Sequence, residues 1–231
     1  MRRLVVIFSI AALAGFILNP VCVSAVEESK WTRLVEESGK VLEEVQQMPD
    51  QAIPEDLLKN CEAIVVFPST ISAGFVIGGK YGQGIIMTRE ESGAGWSAPA
   101  IFSMAGGSFG WQIGGQATDF VLLVMNKRSL DGILQGKFKL GADASVAAGP
   151  VGRAGEASTD IQLKGGILSY SRSRGLFAGV KLEGAALTQH WQGNEELYGK
   201  MLSAQDILIN KKANMPKSAD RILKILNKYR R

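Results

Sequence analysis

At 231 residues and 46% apolar composition, the chain is long enough for one domain of ordinary size and too apolar to be disordered. Its 26 basic and 22 acidic residues give a net charge of +4, a small surplus that does not call for nucleic acid as a partner. One histidine and two cysteines exclude a His/Cys zinc cluster, and no cofactor is expected.

Arg2 and Arg3 precede an apolar run from Leu4 to Leu18, Asn19-Pro20 breaks it, and Val23-Ser24-Ala25 offers a small-residue cleavage site. Residues 1–25 therefore read as a secretory signal peptide. The run of about 15 residues falls short of the roughly 20 that span a bilayer as a helix, which argues against a retained anchor. Asn19-Pro20-Val21 is also a poor lipoprotein context for Cys22, so that cysteine is expected to leave with the leader. Cys61 then stands alone, cannot close an internal disulfide, and is expected to be a small buried hydrophobe. The expected location is exported, periplasmic or membrane-associated. The mature chain keeps 24 basic residues against 22 acids, acidic from Val26 to Glu62 and strongly basic from Lys200 to Arg231.

Residues 26–60 form an N-terminal helical segment. Trp31, Leu34, Val35, Val41, Leu42, Val45 and Met48 recur at helical spacing, predicting an amphipathic helix over Glu28–Met48. A short helix with proline at its first turn follows over Ile53–Leu58, then a strand over Ala63–Phe67. Residues 61–199 read as a β-rich core. From Ala73 to about Gly184 short apolar stretches alternate with glycines, predicting short strands separated by tight turns. Gly78-Gly79-Lys80-Tyr81-Gly82 is expected to turn a first hairpin and Glu91–Gly95 the next. The connections are too short for crossover helices, so the sheet should be mainly antiparallel, interrupted by one helix over Ser129–Leu134 capped by Ser129. Helical signals return at Glu195–Tyr198, Ser203–Ile209 and Pro216–Tyr229, making 200–231 a basic helical segment. The fold class is α+β: a mainly antiparallel, glycine-rich sheet with amphipathic helices at both ends, residues 26–231 forming one compact domain.

Catalytic constellations are sparse. Gly79-Lys80 is followed by Tyr81 where a phosphate-binding loop needs Ser or Thr, and no Gly-x-Gly-x-x-Gly opens a helix after a strand. His190 has no serine and acid placed with it, and Asp119, Asp143 and Asp160 share no spacing. Trp31, Trp96, Trp111 and Trp191 are expected in the core.

Two basic constellations remain. In Ile167–Gly184 an extended chain places Tyr170, Arg172 and Arg174 on one face and Ser169, Ser171 and Ser173 on the other, before Gly175 turns a basic-tipped hairpin. Arg172 and Arg174, with Lys164 and Lys181 nearby, are the candidate lipid-phosphate site, guanidinium groups pairing with phosphate by double hydrogen bonds. A solvated hairpin is the alternative on residue types alone. In the C-terminal helix Ile222, Leu223, Ile225, Leu226 and Tyr229 accompany Lys217, Arg221, Lys224, Lys228, Arg230 and Arg231, a pattern that fits either a bilayer interface or docking on the domain.

The run Ser169–Phe177, with Gly141–Gly152 upstream and with Trp96-Ser97-Ala98-Pro99, Gly110–Gly115 and Thr118-Asp119 in order before it, resembles the signature of the SYLF domain family over roughly Cys61–Gly199. The resemblance implies a non-enzymatic module that binds acidic phospholipid, actin in some eukaryotic members, often with help from an amphipathic N-terminal helix; Glu28–Met48 is the counterpart, though unusually acidic. The sequence shows no room for an SH3 or FYVE module, and a secreted chain would not meet cytosolic actin. The leading expectation is thus an exported SYLF protein binding anionic phospholipid or a membrane surface through Arg172, Arg174, Lys181 and Lys164. The alternatives are an interaction module for another envelope protein and a small outer-membrane barrel, the latter disfavoured by the helical ends.

Overall fold

The computed structural model describes residues 28–48, 51–93, 95–152, 166–173 and 176–230, with the backbone alone for 74–77 and 108–115. The expected leader, Lys164 and Arg174 lie outside the described residues. In chain order the elements are α1 (Lys30–Gln46), α2 (Glu55–Asn60), β1 (Ala63–Thr88), β2 (Ala100–Val124), α3 (Lys127–Leu134), β3 (Phe138–Lys139), β4 (Val146–Ala148), β5 (Ile167–Ser173), β6 (Leu176–Gly179), β7 (Ala186–Gln189), α4 (Trp191–Tyr198), α5 (Ala204–Leu208) and α6 (Asp220–Leu226), the last entered through a 3-10 turn at Lys217–Ala219. The expected α+β class, with a mainly antiparallel sheet and helices at both ends, is what the chain adopts; β4–β5 is the one parallel pair among the described strands.

The largest departure from expectation is in the strands. The predicted turn at Gly78–Gly82 does not exist: β1 runs through it, 26 residues long, against a 25-residue β2. The short apolar stretches of the sequence are pieces of these two strands. The glycines serve a different purpose, because the β1–β2 ribbon doubles back until the two halves of β1 touch. A Cβ on Gly84 would sit 2.1 Å from the Val66 carbonyl oxygen, and one on Gly82 would sit 2.3 Å from Thr70 Oγ1. At the base the Arg89 N–H donates to the Glu62 carbonyl at 2.8 Å. The turn expected at Glu91–Gly95 does form: the Glu90 N–H donates to the Gly95 carbonyl, and Gly93 supplies a positive φ of 72°.

The curled sheet is covered on both faces. On one, Ile64, Val66, Val121, Leu123, Leu168 and Tyr170 pack with α1, α2 and α6 residues such as Val35, Leu42, Leu57 and Ile222. On the other, Val65, Phe67, Phe102 and Leu122 pack with Ile133 of α3, Phe138 of β3, Leu187 of β7 and Ile207 of α5. Strand residues of both parities are therefore buried, and alternation in β1 and β2 is weak. Helix caps follow local chemistry, with Ser29 accepting from the Thr32 N–H at the start of α1. In α3 the cap is Asn126, not Ser129; the Asn126 side chain accepts from the Ser129 N–H at 2.8 Å, so the helix starts three residues earlier than read. Cys61 is buried, as expected. Trp31 and Trp96 are in the core, whereas Trp191 is exposed on the first turn of α4, contrary to expectation; Trp111 falls where only the backbone is described.

Candidate functional site

The basic hairpin forms, β5 pairing with β6 from Tyr170↔Gly179 to Ser173↔Leu176. Its root is a close-packed block. The Tyr170 ring stacks on Phe177 with centroids 5.3 Å apart, and a Cβ on Gly149 would fall 2.0 Å from Tyr170 Cζ. Gly179 lies so close to Gly149 that its own Cβ would meet the Gly149 carbonyl oxygen at 1.9 Å. Burial pushes the Tyr170 phenol well above its ordinary value, so it stays neutral at any physiological pH. The Gly149 and Val180 N–H groups both donate to the Ser169 carbonyl at 3.0 Å. The signature residues Ser169, Tyr170 and Gly149 therefore hold the hairpin on the sheet.

Arg172 lies directly opposite Asp119 in the β2–β5 register. Its Nε and Nη2 donate to Asp119 Oδ2 at 2.9 and 2.7 Å, and its Nη1 pairs with Glu44 of α1. Asp119 also accepts from the Ser69 N–H at 2.8 Å. Burial opposes the guanidinium charge, but its hydrogen bonds to Asp119 and Glu44 and their negative charges outweigh it and raise its pKa above the ordinary arginine value. Arg172 thus ties α1, β1, β2 and β5 together. Neither Asp119 nor Glu44 was visible as a partner from spacing; the signal available was Thr118-Asp119 standing in a signature block.

Lys181, just beyond β6, is exposed and pairs with Glu183 at 2.8 Å, and it is not brought together with Arg172 in any described contact. The C-terminal helix is docked. Ile222, Ile225 and Leu226 are buried in the same cluster as α1, and Arg221 pairs with Glu43 at 2.5 Å. Lys217, Arg221, Lys224 and Lys228 follow at spacings of four, three and four residues from the 3-10 turn through α6 to the turn after it, all exposed. Among the described residues, only Arg221 of this line meets an acid. Of the four acids of α1, Glu44 pairs with Arg172 and Glu43 with Arg221, and its apolar side, Trp31, Leu34, Val35, Val41, Leu42 and Val45, is buried.

His190 caps α4, its Nδ1 accepting from the Gly193 N–H at 2.9 Å while its ring lies 4.6 Å from Trp31. Trp31 Nε1 donates to Glu196 at 2.6 Å. Among the described residues no group of three His, Cys, Asp or Glu could hold a metal, and no helix is long and apolar enough to cross a membrane.

Residues 105–229 match the family described as Ysc84, Las17-binding protein actin regulator, a description that names a binding role. The chain is 36% identical over 180 residues to Protein YSC84 of Saccharomyces cerevisiae, an alignment covering 77% of this chain and 38% of that protein. It is 31% identical over 217 residues to SH3 domain-containing YSC84-like protein 1 of Rattus norvegicus, covering 91% and 61% respectively. A fission-yeast relative, SH3 domain-containing protein PJ696.02 of Schizosaccharomyces pombe, is 36% identical over 180 residues, 77% of this chain and 41% of that one. The chain spans from 38% to 61% of the length of these relatives. The family match over more than half of the chain, with relatives at 36% and 31% identity, settles it: the chain belongs to the Ysc84 family, whose common unit is the SYLF domain.

Proposed function

We propose that the chain is an exported, non-enzymatic binding domain of the cell envelope that associates with anionic phospholipid head groups. The observation that carries this reading is the disposition of its cations. Glu44, Asp119 and Glu43 pair with Arg172 and Arg221, while Lys217, Lys224 and Lys228 face solvent along α6 and its flanking turns, the apolar side of that helix being already docked. Such a face suits head-group contact without insertion of its own helix, at about 1 kcal/mol per cation near an anionic surface. Arg174, Lys181 and Lys164, close to the hairpin in sequence, are the further cations of this site, and Arg172 belongs to it as the residue that fixes the hairpin to the sheet. Charge reversal of Arg174 and Lys181 together is expected to weaken binding to anionic vesicles by at least about tenfold with the fold intact. Unchanged binding would remove the hairpin from the site; Arg172→Ala, in contrast, should act first on stability, by about 2 kcal/mol, because it strands Asp119.

A second reading, a module for a protein partner such as another envelope protein, is favoured by the family's description as Las17-binding. Cross-linking that captures a stable partner, from a protein that ignores vesicles, would establish it.

A further inference from the structure

The doubled-back ribbon leaves the body of the domain at the pair Ile71↔Ala117 and returns at Tyr81↔Ala105. Eleven residues of β1 (71–81) are matched there by thirteen of β2 (105–117), and the register shifts between Gly74↔Gly114 and Val76↔Gly110. The surplus on β2 is what an outer arc needs when a two-stranded ribbon bends, so this segment is an arch with its bend at those glycines. β2 pairs with β7 only over 102–105 and with β5 only over 119–124, so among the described residues neither edge of the arch has a third strand beyond the Ala105↔Ala186 pair at its root.

Exposed, unpaired edges are normally guarded by charge. The arch has one charged residue, Lys80, near its root, while its sequence holds Phe75, Tyr81, Phe109 and Trp111 among glycines. The two large apolar residues described at its roots are turned to solvent, Ile71 at 61% and Tyr81 at 51% exposure. At about 3.3 Å per residue, an eleven-residue strand bent double reaches up to about 18 Å from the body. The arch root also touches the basic hairpin: Gln116 Nε2 donates to Ser173 Oγ, and Leu176, paired with Ser173, is 71% exposed. The root of this nearly uncharged ribbon and the end of the β5–β6 hairpin thus share one end of the molecule.

We propose that the β1–β2 arch is a membrane-inserting element, its bend entering the boundary between head groups and acyl chains while the β5–β6 hairpin meets the head groups. This deepens the phospholipid reading and rests on it. Aromatic residues favour that interfacial depth. Insertion stops there because the arch's unpaired backbone groups still need water, which the hydrocarbon interior lacks.

The test places p-benzoylphenylalanine at position 81 of the full chain and irradiates it with vesicles of equimolar phosphatidylglycerol and phosphatidylcholine, reading adducts by mass spectrometry, with the same substitution at Met201 on the exposed α4–α5 connection as control. A phospholipid adduct at position 81 and none at 201 is expected, and Ile71→Glu with Tyr81→Glu should weaken vesicle binding at least tenfold while leaving the circular dichroism spectrum unchanged. A cross-linked dimer in place of a lipid adduct would assign the arch to a second copy and overturn the proposal. Salt-sensitive vesicle binding with no adduct at position 81, and full binding by the double variant, would overturn it and leave the head-group reading standing. Absence of any salt-sensitive vesicle binding would overturn both.

Discussion

Gly84 and Gly79 belong to the same strand and look alike in the sequence, yet one is indispensable to the bend and the other is not. A Cβ on Gly84 would enter the Val66 carbonyl and the Phe67 Cα, at 2.1 and 2.8 Å, whereas one on Gly79 meets nothing within 4 Å. Gly84→Ala is expected to destabilise the domain by about 3 kcal/mol, because backbone rather than a flexible side chain must move, and Gly79→Ala to change stability by less than about 0.5 kcal/mol. Urea unfolding monitored by circular dichroism separates the two. The same pair explains the chief misreading of the sequence. Glycine in a strand pattern is read as a turn when the preferences of short hairpins are applied, but Gly82 and Gly84 are needed for contact between residues some 12 to 18 positions apart in β1, which no local pattern encodes. Arg172 shows the converse. Its position in the hairpin was legible from alternation, while its engagement by Asp119 and Glu44 depends on registers that bring residues 53 and 128 positions away beside it.

Among the elements, helices were the more legible, since their apolar periodicity and caps are local. α1 lies inside its expected bounds, and the docked side of α6 is the one its spacing marked. What periodicity could not decide was the surface each helix covers: an apolar stripe suits a bilayer as well as a sheet. α4 carries the chain's only histidine as its cap. Burial, assisted by the nearby Lys30 ammonium, holds the His190 imidazole below its ordinary 6.5, and its Nδ1 must be unprotonated to accept from Gly193. A lowered folded pKa means that the unfolded chain takes up the proton first. The contribution of this cap is therefore fully present above about pH 6.5 and is lost as the pH falls through the lowered folded value. Glu196, held below its ordinary 4.5 by the Trp31 and Gln192 donors, loses its own contribution only at lower pH. Thermal unfolding between pH 7.5 and 5 should show a decline in midpoint that His190→Asn flattens, asparagine capping the helix without titrating. An unaltered slope in that variant would assign the decline to other groups.

For the whole molecule, charge is segregated by role. Glu44 of α1 and Asp119 of β2 hold the largely buried Arg172, Glu43 pairs with Arg221 at the surface, and Lys217, Lys224 and Lys228 stand exposed along α6 and its flanking turns. This is why a small net charge said little: internal pairs cancel in the total, and the lysine line is visible only once α6 is known to be docked with that side out. The family resemblance, carried by Ser169–Phe177 and the glycine blocks, named the family that the match shows, and the structure has Tyr170, Phe177 and Gly149 of those blocks packed together with Gly179. Head-group recognition therefore has to be tested by binding itself. The measurement that does so most directly is co-sedimentation of Val26–Arg231 with phosphatidylcholine vesicles and with vesicles containing phosphatidylglycerol, over a salt series from about 20 to 500 mM, through which the screening length falls from roughly 20 to about 4 Å. Binding that requires the anionic lipid and declines steeply with salt is the expected result; equal binding to both vesicles, or none to either at the lowest salt, would contradict the head-group reading.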